Sequence, residues 1–162
     1  MSDKVNKELP GSNLLQTWAI HERIVRYVAE AAEDAAMPLK ASGKGRSAGE
    51  ILAHINNVRL MWLKEAAPDL LPTVVKVEKE QSFDRDLLLS SLSKSGEAIG
   101  ELLRLGLESG RIKGFKPHPE AFPGYLISHE SYHEGELGMV LAQAGHPLDR
   151  KTAFGMWEWG VR

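Results

Sequence analysis

Three histidines fall on apolar helical stripes, and that placement restricts the fold more than any other feature of the chain. His129 and His133 lie four apart in the run HESYH. On a helix they share one face, with Cβ atoms roughly 5–6 Å apart. Leu126, Leu137, Val140 and Leu141 continue the same stripe, at the spacing of an amphipathic helix. His54 sits likewise among Ile51, Ile55, Val58 and Met61 in ILAHINNV and its continuation. The pattern predicts three imidazoles turned toward the interior of one small bundle. A buried polar group without a partner costs roughly 1–3 kcal/mol. Either each histidine finds its own hydrogen bond in the core, or the three share a partner. A divalent metal ion is the simplest shared partner.

The rest of the chain supplies the helices that such a bundle needs. Residues 1–12 read as a loose leader broken by Pro10 and Gly11. Ser12 or Asn13 is placed to cap a first helix with a stripe of Leu14, Trp18, Val25, Val28 and Ala32, and His21 falls within it. Pro38 closes that region, and the turn KASGKGRS follows. Ser47 with Glu50 forms a capping-box pattern opening a second helix, which carries His54 and runs to about Ala66. After Pro68 and Pro72 comes VVKVEKEQ, readable as irregular chain or a short strand. Extended chain covers about 3.3 Å per residue against 1.5 Å in a helix. This connection is therefore long enough to climb back along helix two and let helix three run parallel to it. Ser82 is a candidate cap for helix three, with Leu88, Leu92, Ile99, Leu102, Leu103 and Leu107 as its apolar face and Gly110 as its stop. A proline-bearing loop at 111–124 leads into the HESYH helix, which ends at Gly145 before Pro147. The tail, with Trp157 and Trp159, is expected to dock on the bundle. The sum is an all-α, single-domain four-helix bundle over residues 1–162.

Composition removes several classes of function. The chain has 162 residues, enough for one real core, with 43% hydrophobic and 26% charged residues. It has no cysteine, so disulfides, thiolate ligands and a cysteine nucleophile are excluded. The formal net charge is −2 with no basic block, which speaks against a nucleic-acid partner. No apolar run reaches the roughly 20 residues that span a bilayer. The polar start MSDKVNKELPGS is unlike a signal peptide, so a cytoplasmic protein without membrane partners is expected.

SAGEILAHINNV and HESYHEGELGMVLAQAGHPL, with the aromatic tail MWEWG, resemble the DinB-like, YfiT-related superfamily over roughly residues 13–160. The resemblance rests on a helix-two histidine, two further histidines four apart, a nearby glycine, and a closing turn of the Gly-x-Pro type. It implies an up-down-down-up bundle, which suits the long connection between helices two and three. It implies one divalent metal, zinc or nickel most often, held at positions matching His54, His129 and His133. It also implies a homodimer, and Leu15, Ile24, Leu87 and Leu103 on helices one and three are candidate apolar positions for it. Members of this superfamily include transferases and isomerases using low-molecular-weight thiols, others described as metal-dependent hydrolases, and many without known activity.

The motif admits other readings. HESYH is literally H-E-x-x-H, in which a glutamate, here Glu130, activates zinc-bound water. The longer metzincin form needs glycine at 136 and histidine at 139, where this chain has Glu136 and Met139. Glu130 with His133 also matches the Glu-x-x-His of di-iron bundles, but no second copy is present. Glu136, three on from His133, and Glu50, four before His54, are candidates to orient an imidazole from behind. His21 and Trp18 are candidates to line the metal pocket, with the 111–124 loop as its gate; His21 reads equally well as a hydrogen-bonded core histidine. His118 and His146 read as solvated, and the KGRS turn as too short to mean much.

Three neutral histidines leave coordination positions open, as catalytic metal sites do. Zinc in such a site lowers the pKa of bound water to about 7 or stabilises a bound thiolate. The expected function is a metal-dependent enzyme acting on a small molecule, by thiol S-transfer with an external thiol or by hydrolysis. The alternatives are a non-catalytic metal-binding or dimerisation module and, behind it, an HExxH peptidase.

Overall fold

Each long helix starts and stops where local chemistry can satisfy its free ends. A computed structural model of the protein describes residues 11–162, so the leader lies almost wholly outside the described residues. Helix α1 covers Ser12–Ala31 and is preceded at its N-cap by Gly11, rather than capped by Ser12 or Asn13. Gly11 adopts φ 90°, where a side chain is strained, and its carbonyl accepts from Leu14 and Leu15. Helix α2, Ala48–Ala66, opens with the predicted reciprocal box: Ser47 Oγ accepts from Glu50 N, and Glu50 Oε2 accepts from Ser47 N. Helix α3, Arg85–Ser109, is capped by Asp84, whose carboxylate accepts from Leu87 N. Ser82 is not the cap; its hydroxyl donates to Lys79 O in a preceding 3₁₀ turn. Gly110, at φ 75°, ends α3 as expected. Helix α4, Ala121–Gln143, takes Pro123 in its first turn, where no intrahelical N–H is lost. It closes with His146 N donating to Leu141 O across Gly145. A short helix α5, Arg150–Gly155, follows.

The four long helices pack together in a ring of principal contacts running α1, α3, α2, α4 and back to α1. The connection after α2 holds no strand. It forms a 3₁₀ segment at Pro68–Thr73, then extended chain strapped to α2 by two asparagines. Asn57 both donates to Val77 O and accepts from Val77 N, and Asn56 donates to Val75 O. A side-chain ladder thus stands where a second strand would otherwise be needed.

The interior is two apolar clusters. One gathers Val25, Val28, Ile51, Ile55, Leu88, Leu137 and Leu141. The other gathers Trp18, Leu63, Ile99, Leu102, Phe122 and Leu126. Between them every long helix contributes one polar side chain: His21, Arg59, Ser95 and Glu130, all 1% exposed or less. Ile24 and Leu103, expected on a dimer face, are instead buried at 3% and 1% in this chain's own core. Leu15 and Leu87 also pack against these clusters. Four helices closing on themselves bury Ile24 and Leu103 and leave Leu15 and Leu87 half-buried.

The tail docks on α1 as predicted, with its terminal arginine making the polar contacts. Arg162 stacks on the Tyr27 ring at 4.0 Å, and Arg23 donates to Arg162 O. Trp157 remains 72% exposed. No helix among the described residues is long and apolar enough to cross a membrane.

Candidate metal centre

His54 on α2 and His129 and His133 on α4 converge at the edge where these helices meet. One ring nitrogen from each lies within 4.8 Å of the others. The ring centroids are 5.5 Å apart for His54–His129, 4.5 Å for His54–His133 and 4.7 Å for His129–His133. The i, i+4 spacing stacks two rings on one side of α4, and α2 delivers the third. His133 is buried, whereas His54 and His129 are half-buried. The stripe reading overstated their depth, because the cluster sits at the rim of the bundle and faces solvent.

Three observations fit this donor set to a metal ion. First, His133 Nδ1 lies 2.8 Å from Glu136 Oε2. A carboxylate can only accept, so the proton is on Nδ1 and Nε2 keeps its lone pair. This is the orienting role expected of Glu136. Second, His129 Nδ1 is buried with no hydrogen-bond partner among the described residues. Third, His54 and His129 are held neutral. Burial, then the Arg46 guanidinium and the other two histidines, pushes the His54 pKa down to about 4. Burial and His133 lower that of His129 as well. Neutral imidazoles have no proton for a cation to displace. Nitrogen ligands of a tetrahedral zinc ion, each at about 2.0–2.1 Å, stand roughly 3.3 Å apart.

The other predicted residues are elsewhere. Glu50 does not touch His54: its carboxylate is engaged by the Ser47 cap and by Lys40 and Lys79. The group beside His54 is Arg46, whose Nη2 is 3.5 Å from His54 Nδ1. Trp18 and His21 do not wall the histidine cluster. Trp18 Nε1 donates to Gly96 O, and His21 Nε2 lies 2.8 Å from Glu130 Oε2. The 111–124 loop is not a gate at the cluster. Its Phe115 packs on Trp62, Phe122 and Tyr125, and Ile112 joins the second core cluster. His118 pairs with Glu120, and His146 with Glu33.

Two open cavities border the cluster. One, about 270 Å³, is walled by Arg46, His54, Asn57 and Lys79. The other, about 380 Å³, is walled by Lys44, Arg46, Tyr132, Glu136 and Met139. The KGRS turn, passed over in the sequence, therefore supplies Arg46 to both. Its position next to His54 depends on the Lys40–Ser47 backbone bridge, which no local pattern announces.

Glu130 is the residue that H-E-x-x-H would assign as base. Its two oxygens accept from Arg59 Nε and Nη2, each at 2.7 Å, and Oε2 also takes His21. Burial alone would raise its pKa, but the Arg59 charge and hydrogen bonds with His21 hold it down at about 2. The carboxylate is fully buried and its oxygens are committed. On α4 it lies about 100° around from His129, toward the core.

Comparison with known protein families, with curated proteins and with solved structures returns no match. Fold and site together define the class: an all-helical protein of four packed helices with a three-histidine cluster able to hold a metal ion.

Proposed function

We propose that the chain is a divalent-metal protein of the DinB-like type, with His54, His129 and His133 as ligands, acting on a small molecule. The observation that carries this reading is the convergence of three imidazoles from two helices, one oriented by Glu136 and one with an unpartnered nitrogen. Zinc or nickel bound there would supply Lewis acidity toward a thiol or water ligand. Glu136 holds the His133 proton on Nδ1 and keeps Nε2 directed away from itself. Arg46 places positive charge beside His54, favouring an anionic group near the cluster. Tyr132 and Met139, both exposed, offer apolar surface to a substrate body. A half-buried site at a helix edge suits small-molecule thiol transfer or hydrolysis better than cleavage of a peptide by Glu130, whose oxygens are taken.

The resemblance also carries the up-down-down-up order of the helices and a homodimer. The second reading, a metal-binding module without turnover, rests on the same histidines. Metal analysis of the purified protein, followed by a screen of thiols with electrophiles and of hydrolysable esters and amides, separates the readings. One ion per chain, lost in the His54→Ala/His129→Ala/His133→Ala variant with helicity retained, is the expected result. Turnover that chelation abolishes and zinc or nickel restores assigns an enzyme. Full metal occupancy in the triple variant overturns the ligand assignment.

A further inference from the structure

A third cavity, of about 330 Å³, lies between α1, α4 and the tail, and its walls contain none of the three clustered histidines. Its polar side chains are His21, Ser131 and Glu134; Met156, Trp157 and Trp159 line it from the tail. Glu134 is only 7% exposed, and its Oε1 is buried with no hydrogen-bond partner among the described residues. The nearby buried cation is already used. Arg59 gives Nε and Nη2 to Glu130, and its Nη1 to Leu92 O and Ser95 Oγ. His21 Nε2 is likewise taken by Glu130. A buried carboxyl oxygen left without a hydrogen-bond partner is costly. Glu134 lines this cavity, so a partner can reach it from there. Along that side of α4, Gly135 and Gly138 would meet nothing within 4 Å if given a Cβ, so the helix backbone leaves room.

The opposite wall is aromatic and wet. Trp157 is 72% exposed and Trp159 37%. Indole faces attract cations more strongly than other aromatic rings do. A buried carboxyl oxygen lacking a donor and two exposed indoles in one cavity match one ligand chemistry. We propose that this cavity binds a small organic cation, a primary amine carrying an apolar group, whose ammonium donates to Glu134 and whose body lies against Trp157 and Trp159. A neutral ligand of the same shape leaves Glu134 without its counter-charge. An anionic one meets repulsion from Glu134. The site does not depend on the histidine cluster, so it stands or falls separately from the metal reading.

The test uses the whole protein, with and without chelator, titrated with phenethylamine, 2-phenylethanol and 3-phenylpropionate. Calorimetry and tryptophan fluorescence read the binding. Saturable binding of the amine is expected, at least roughly tenfold tighter than the alcohol or acid, since hydrogen bonds to charged groups discriminate on that scale. Chelation should leave it unchanged. The near-isosteric Glu134→Gln variant should lose roughly tenfold or more in amine affinity, and Trp157→Ala should weaken it while Trp157→Phe largely keeps it. Should Glu134→Gln unfold, the amine-over-alcohol preference of the unaltered protein decides alone. Equal binding of amine and alcohol overturns the proposal. So does amine binding lost on chelation, or no saturable amine binding, which would leave only water beside Glu134.

Discussion

Glu130 shows how one residue's meaning depends on what reaches it. In the sequence it is the middle of H-E-x-x-H; in the fold it anchors a polar layer of four helices. Removing one partner of a buried pair leaves an uncompensated charge and costs roughly 3–5 kcal/mol, whereas replacing both by apolar groups is often nearly neutral. Arg59→Met should therefore lower unfolding stability by about that much. The Arg59→Met/Glu130→Met double variant should be more stable than the single one. Chemical denaturation of the two checks this, and a double variant no better than the single would show that the pair is not the dominant interaction. Glu136 acts on a different property. Its carboxylate orients His133, and loss of such an orienting partner typically weakens metal affinity about 10–100-fold. Glu136→Ala should show that loss in a competition titration with a coloured chelator, with little change in melting temperature of the metal-free protein.

At the level of elements, the first turn of α2 is where the walls of the site are tied together. Gly49 N donates to Met37 O, and a Cβ at Gly49 would sit 1.8 Å from Ser82 O. The obstruction is backbone, which cannot swing aside. Overpacking costs typically about 1–3 kcal/mol, and Gly49→Ala should fall at the upper end, measured by urea unfolding. Gly45, in the loop beside Arg46, has nothing within 4 Å. Gly45→Ala should be nearly silent, and an equal cost at both positions would refute the backbone clash.

For the whole molecule, stability against pH reports a buried carboxylate. Burial raises the Glu22 pKa; Arg26 and Arg59 oppose this without cancelling it. The folded-state value lies above the unfolded one, so the native state holds the proton more tightly. This group's destabilisation is absent well below the unfolded value, grows as pH rises past it, and is constant above the folded value. Glu22→Gln should therefore be more stable than the parent at pH 7, and the advantage should shrink by pH 4. A constant difference across that range would count against the shift. The homodimer proposed from the resemblance predicts a mass near twice 17.9 kDa in light scattering, and a mass near 17.9 kDa rules it out. Ile24 and Leu103 are already buried and are not available to such an interface.

What the sequence alone determined is what short range encodes. Helical periodicity placed four long helices, the Ser47–Glu50 box opened α2, Gly110 and Gly145 closed α3 and α4, and His133–Glu136 followed from i, i+3 geometry. The histidine trio was legible because each imidazole sat on an apolar stripe, although the stripe could not tell rim from core. Only the tertiary structure decided the rest. Arg46 reaches His54 through a loop closed by a backbone bridge, Glu130 meets Arg59 across 71 residues, and His21 meets Glu130 across 109. Charge pairs formed at such separations depend on which helix faces meet, and periodicity specifies a helix's apolar face without naming its neighbour.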